Sequence, residues 1–469
     1  MINIKKTILT AGVLSFSLLI PLSVCSANNT TEQLITKGKY IAVAADCGAC
    51  HRQATAHGKP YAGGNAIDSP MGRIIASNIT PSESFGIGNY TEKEFANAVR
   101  RGIAADGSHL YPAMPYTAYH AMTDTDLHAL YSYFMYGVNP VDSAPEEKTS
   151  LSFPFNIRQL MWGWNLLFSS NQPFREITNS PPQVNRGKYL VEVLGHCSTC
   201  HTPRNLMMAE DKSKNLSGSP LGGWYAPNIT PDKDSGIGSW SQQEIVVYLK
   251  TGHIAGKASA AGPMAETVEN SFRYLSDSDL NAIATWIKQV PVISTAPAYH
   301  SAIRPPLTDI NKVISGQGDQ ASLADNTTTD GSELYNAACA SCHGINGQGT
   351  ADHFYPSLTS NSAVSSPTAQ NLVMTIVEGL NRKSSDGDVS MPAFGKQLTD
   401  SQIASVTRFV RYQFSAIDDK ITAQQVTGWR NGGDTPFIVS YINYFIGLGG
   451  LAVVAVFSLI IFSVKKRRQ

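Results

Sequence analysis

The sequence predicts a mainly α chain of three tandem helical domains followed by a C-terminal transmembrane helix, and three observations predict it. Six of the seven cysteines fall in three pairs of identical spacing, each followed directly by histidine. Segments around the first two pairs recur at an offset of 150 residues. No charged residue occurs between Asp434 and Lys465. A length of 469 residues suits about three domains of ordinary size.

Taken from the N-terminus, Lys5 and Lys6 precede an apolar run from Ile8 to Val24, then the small-residue site Cys25-Ser26-Ala27. That order reads as a secretory signal peptide over 1–27. An uncleaved anchor or a lipidated Cys25 are the other readings of this segment. The first domain spans 28–150 and the second 181–292, and they are copies of one unit. Gly38-Lys39-Tyr40 is matched by Gly187-Lys188-Tyr189, Asn78-Ile79-Thr80-Pro81 by Asn228-Ile229-Thr230-Pro231, and Met114 by Met264. Thr125-Asp126-Leu127 and Ser278-Asp279-Leu280 open similar amphipathic helices.

Between the copies lies an aromatic connector, 151–180, with Met161-Trp162-Gly163-Trp164. It suits either a membrane-interface, quinone or partner contact or a packed connector. A linker rich in Pro, Ser, Thr and Ala, 293–328, leads to the third domain, 329–416. That domain carries Met391-Pro392-Ala393-Phe394, a helix-start signal at Thr399-Asp400-Ser401-Gln402, and the periodic Ile403, Val406, Phe409 and Val410. A juxtamembrane segment, 417–436, precedes the expected transmembrane helix, 437–464. The basic tail 465–469 would stay cytoplasmic and leave the three domains on the periplasmic side of a bacterial inner membrane.

The pairs are Cys47 and Cys50 before His51, Cys197 and Cys200 before His201, and Cys339 and Cys342 before His343. C-x-x-C-H is the signal for covalent haem c attachment. On one helical turn the two sulfurs reach one porphyrin while the adjacent histidine ligates its iron. The units are therefore expected to be cytochrome c-type haem domains, holding three haems c. Met114 and Met264 each lie 63 residues after the site histidine in Pro-bearing loops, and Met391 precedes Pro392. These three methionines are expected as distal iron ligands, since closing both axial positions suits electron transfer. His109, His120 and His253 belong to no motif and read as ordinary histidines. Arg73, Arg101 and Trp224 are candidate propionate donors by residue type alone. Disulfides, thioredoxin-like dithiols or zinc sites would leave the histidine after every pair unexplained.

The formal charge is zero, from 36 basic and 36 acidic residues, which gives no support to nucleic-acid binding. No Gly-rich dinucleotide fingerprint follows a strand, so no FAD or NAD site is expected in this chain.

With these residues in hand, the chain resembles the triheme cytochrome c subunit of membrane-bound periplasmic dehydrogenases. That group comprises flavin-dependent gluconate 2-dehydrogenases and related sugar dehydrogenases, and quinohaem alcohol dehydrogenases. The resemblance rests on the three haem sites, the paired Asn-Ile-Thr-Pro segments, Tyr111-Pro112-Ala113-Met114-Pro115-Tyr116, Gly262-Pro263-Met264-Ala265-Glu266 and Phe153-Pro154-Phe155-Asn156-Ile157-Arg158. It implies an electron-transfer subunit with no catalytic site of its own. A separate flavin- or PQQ-containing catalytic subunit, with a small accessory subunit, would oxidise gluconate, another sugar or polyol, or an alcohol. This chain would then pass the electrons to ubiquinone in the inner membrane. A donor to a terminal oxidase and a haem enzyme with one open axial site are the alternative functions.

Overall fold

Each of the three units begins and ends with a helix, and the two helices cross where the sequence supplies glycine. The computed structural model describes residues 22–53, 55, 58–295, 327–384, 387–448, 451 and 458. Helix Leu22–Ala44 packs on Asp124–Ser132, Pro182–Tyr189 on Asp277–Ile287, and Gly331–Ala338 on Asp400–Ser415. A Cβ added at Gly38 would lie 2.0 Å from the carbonyl oxygen of Ala129. At Gly187 it would lie 2.0 Å from that of Ala282, and at Gly331 2.4 Å from that of Ser405. Only hydrogen in place of a side chain lets these backbones approach so closely.

The terminal helices start where short polar side chains can occupy the free N–H groups of the first turn. Thr123 accepts from the Asp126 N–H, Ser276 from the Asp279 N–H, and Thr399 and Gln402 form a reciprocal capping box. In the first two units the cap thus sits two residues before the opening expected from the sequence. The repeat also explains its own Asn-Ile-Thr-Pro segments. Oδ1 of Asn78 accepts from Thr80 N–H at 2.8 Å and Thr80 hydroxyl at 2.7 Å, while its amide donates to the Val141 carbonyl at 2.8 Å. Asn228 makes the same bonds to Thr230 at the same distances and donates to the Ile293 carbonyl at 2.8 Å. In each copy one buried amide ties the loop after the haem motif to the chain leaving the unit. Short antiparallel hairpins, including 219–221 with 224–226 and 380–384 with 387–391, complete the helical frame.

The expectation of three tandem domains ending in a transmembrane helix is corrected in two respects. First, the two repeats share one hydrophobic core, in which Ile41, Leu130 and Phe134 of the first join Leu190, Leu194, Leu280 and Ile283 of the second. The joint is reciprocal: Tyr40 donates to Asp279 Oδ2 at 2.7 Å, and the Thr123 N–H donates to the Tyr189 hydroxyl at 3.1 Å. Tyr40 and Tyr189 are repeat equivalents, so the pair is related by a pseudo-two-fold axis. The third unit has a separate core around Leu334, Tyr335, Ile403, Val406 and Phe414.

Second, among the described residues no helix is long and apolar enough to cross a membrane. The described helical backbone in the expected span covers 437–448, about 18 Å of rise, against the ~30 Å that a hydrocarbon core requires. The rest of 437–464, apart from 451 and 458, lies outside the described residues, as do the tail 465–469 and residues 1–21 of the expected signal peptide. Most of the expected linker, 296–326, does also.

Candidate haem sites

All three C-x-x-C-H motifs lie on a short helical turn that follows the N-terminal helix of their unit. The turns are Cys47–His51, Ser198–His201 and Ala340–His343. Each site histidine is tethered through Nδ1 to a backbone carbonyl, at 2.7 Å to Ser77 for His51, 2.7 Å to Pro227 for His201 and 3.0 Å to Pro356 for His343. That bond selects the tautomer with hydrogen on Nδ1 and leaves the Nε2 lone pair available to a metal. Burial lowers all three histidine pKa values, more than these carbonyl bonds raise them, and keeps the rings neutral as ligation requires.

The six motif cysteines form no disulfide with one another. Burial pushes Cys47, Cys197 and Cys339 up to about 12 and Cys50 to about 11. Reactive dithiols are the opposite case, with thiolates held low by nearby positive charge. A pair of unoxidised sulfurs beside a tethered histidine, on one turn, fits thioether attachment of a porphyrin. The chain binds three covalent haems c at these sites, and the bound haem supplies the iron redox couple.

The expected distal methionines are half-buried, each on the core that packs its own cysteines. Met114 and Met264 border the shared core together with Cys47 and Cys197, and Met391 borders the third-unit core with Cys339. Met391 closes a hairpin in which it pairs with Leu380. The other residues weighed from the sequence have other duties. Arg73 is exposed and bonded to Asp68 and Glu147. His109 Nδ1 meets the Asn165 amide, His120 Nδ1 the Thr117 carbonyl, and His253 Nδ1 the Ser259 hydroxyl. Trp224 stacks beside Gly262, two residues before Met264. In the aromatic connector the two readings divide by residue. Trp164 is buried and donates to the Met207 carbonyl at 2.9 Å, whereas Trp162, Leu166 and Leu167 on the same helix are exposed.

The sites adjoin one another. Helix Gly262–Asn270, which carries Met264, packs on the Cys47–His51 turn of the first unit. Reciprocally, helix Tyr116–Tyr119, just after Met114, packs on the segment 190–194 that leads into the second site. There the Tyr119 ring meets the His196 ring edge-on at 5.5 Å. From the third unit, Leu380 packs on the small cluster of Ala260, Ala265 and Val268 that Met264 also borders. Sequence reasoning found the attachment residues but missed Arg382, a buried arginine that the third-unit hairpin inserts into the second unit. No motif or repeat flags it.

The Cytochrome c family model matches residues 328–413. The chain is 44% identical over 409 residues to the fructose dehydrogenase cytochrome subunit of Gluconobacter japonicus, covering 85% of this chain and 83% of that protein. It is 37% identical over 445 residues to the cytochrome c subunit of a quinone-type alcohol dehydrogenase from Gluconacetobacter polyoxogenes, covering 92% and 91%. With the gluconate 2-dehydrogenase cytochrome c subunit of Pantoea cypripedii it shares 34% identity over 439 residues, covering 90% and 94%.

Proposed function

Because the chain belongs to the family of dehydrogenase cytochrome c subunits, we propose that it receives electrons from a separate catalytic subunit and delivers them to ubiquinone. The chain is the electron-transfer subunit of an oxidoreductase complex. The catalytic subunit carries flavin or PQQ and oxidises a sugar, sugar acid, polyol or alcohol. The haem units work on the periplasmic side of the inner membrane. The N-terminal order of basic, apolar and small residues supports that placement, as does covalent haem itself, which bacteria attach outside the cytoplasm.

One observation carries the reading: in all three units the motif pairs a carbonyl-tethered histidine with a cysteine that borders the same core as a half-buried methionine. Met114, Met264 and Met391 would supply the second protein ligand to the irons that His51, His201 and His343 would hold. A thioether there raises the reduction potential, and a closed coordination sphere excludes oxygen chemistry. The packed apolar residues beside each site would hold a bound haem in a fixed surrounding, which keeps reorganisation on electron transfer small. Packed contacts join the first two units beside their haem motifs, which supports electron passage between those sites.

The test is a reduced-minus-oxidised haem spectrum of native membranes after addition of each candidate substrate, beside a strain lacking the chain. Reduction of a c-type signal by one substrate, absent from the control, supports the proposal and identifies the donor. Reduction by dithionite but by no substrate would sink the dehydrogenase assignment.

A further inference from the structure

Arg382 is 3% exposed, yet its only protein hydrogen-bond acceptor among the described residues is the Ala260 carbonyl, 3.0 Å from Nη1. Its Nε–H is buried with no partner. Burial outweighs the favourable fields of Tyr248 and Glu269 and lowers its pKa. The Glu269 carboxylate accepts from the Lys383 N–H. A buried guanidinium lacking a carboxylate is costly, and proteins keep one where an anion completes the site.

The repeat shows what the side chain replaces. In the first unit a Cβ on Gly102 would meet the Tyr116 ring at 2.6 Å, and Tyr116 stands two residues after Met114. Gly252 is the repeat equivalent of Gly102, but a Cβ there would meet Arg382 Cδ at 2.6 Å. Glu266, the equivalent of Tyr116, turns instead to Arg52 of the first unit at 3.4 Å. So the slot beside the Met264 loop is filled from another unit. Leu380, two residues earlier on the same strand face, packs on the cluster of Ala260, Ala265 and Val268, which Met264 and Tyr248 also border. The hairpin is held there by the Glu269 bond and by Arg273, which donates to the Lys383 carbonyl at 2.9 Å.

We propose that Arg382 donates its Nε–H to a propionate of the haem held by Cys197, Cys200, His201 and Met264, so that docking of the third unit raises the potential of the second haem. The proposal rests on the haem reading above. Reduction adds negative charge to a haem, and a fixed cation in a dry site favours the reduced form. Arg382 is a binding and potential-setting residue, and the coupling joins two units whose cores are separate.

The test is a redox titration of the intact haem-loaded complex, with haems per chain counted by mass. The parent is compared with Arg382→Gln, which keeps most of the stem and a donor for Ala260, and with Arg382→Lys, which keeps the charge. The expected result is one of three waves moved to lower potential in Arg382→Gln, two waves unmoved, and a smaller shift in Arg382→Lys. Three attached haems with no wave moved in Arg382→Gln would overturn the proposal. Equal shifts of all three waves would also overturn it, since they mark a general structural role. Fewer than three haems on the parent would overturn the reading beneath it.

Discussion

Replacing Gly187 by alanine places one methyl group at the tightest contact of the second unit. The new Cβ would lie 2.0 Å from the Ala282 oxygen, 2.6 Å from its carbonyl carbon and 2.9 Å from Trp286 Cβ. The first two are backbone atoms, so no rotamer change relieves the clash. Helix Pro182–Tyr189 must lift from Asp277–Ile287, loosening a core that contains Leu190, Leu280 and Ile283. Overpacking costs about 1–3 kcal/mol, and a backbone clash belongs at the upper end. Alanine recovers up to ~1 kcal/mol of helix propensity. The net expectation is a loss of about 2 kcal/mol, roughly a 30-fold fall in the folding equilibrium. Gly163→Ala is the control, because nothing lies within 4 Å of its Cβ and it sits inside helix Leu160–Phe168. It should leave stability unchanged or raise it by up to ~1 kcal/mol. Guanidinium unfolding of the haem-loaded chain, followed by circular dichroism and haem absorbance, measures both midpoints. Equal midpoints for Gly187→Ala and the parent would refute the claim that this crossing requires glycine.

Met264→Ala should open one axial position, so that one reduced haem in three binds carbon monoxide rapidly while the parent binds almost none; an unchanged difference spectrum would remove Met264 from the ligand set. Replacing Cys339 and Cys342 by alanine should leave a chain with two attached haems by mass, and three would contradict the site assignment. Arg411 is fully buried, paired with Asp419 and donating to the Val364 and Ser366 carbonyls at 2.8 Å each. Arg411→Ala strands that pairing and should destabilise the third unit by about 3–5 kcal/mol, read as loss of its unfolding transition at lower denaturant. Burial pushes the Asp279 pKa up, but the bonds from Arg186 and Tyr40 more than reverse this and hold it below the usual value. A carboxyl depressed in the folded state contributes stability above the unfolded pKa, about 3.9, and loses it as pH falls through the lower folded value. Acid titration should therefore show a stability loss beginning below about pH 4 that is shallower in Asp279→Asn.

Much of the chemistry was legible because it is local. C-x-x-C-H requires only one helical turn, and the offset of 150 residues exposed Met264 as the partner of Met114 without any knowledge of packing. Helix starts at Thr399 and the helices opening near Thr125 and Ser278 were readable for the same reason: caps act over three residues. The site histidine tethers were not readable, because the accepting carbonyls of Ser77, Pro227 and Pro356 belong to loops with no side-chain signal. The expected transmembrane helix rested on an uncharged apolar run and the basic tail after it, and of that run the described residues are 437–448, 451 and 458.

The sequence by itself determined the cofactor, the number of sites and the repeat, since each depends on residues close together in the chain. Only the tertiary structure decided how the units meet. Two copies of one unit could face in any direction, and a shared core forms here because Tyr40 and Tyr189 reach across to opposite helix starts. Arg382 is the extreme case. Its meaning arises from a slot beside Gly252, more than a hundred residues earlier, left by a glutamate that stands where the first copy has tyrosine. Such long-range substitution leaves no periodicity or motif, because the groups that define it are neighbours only after the chain has folded.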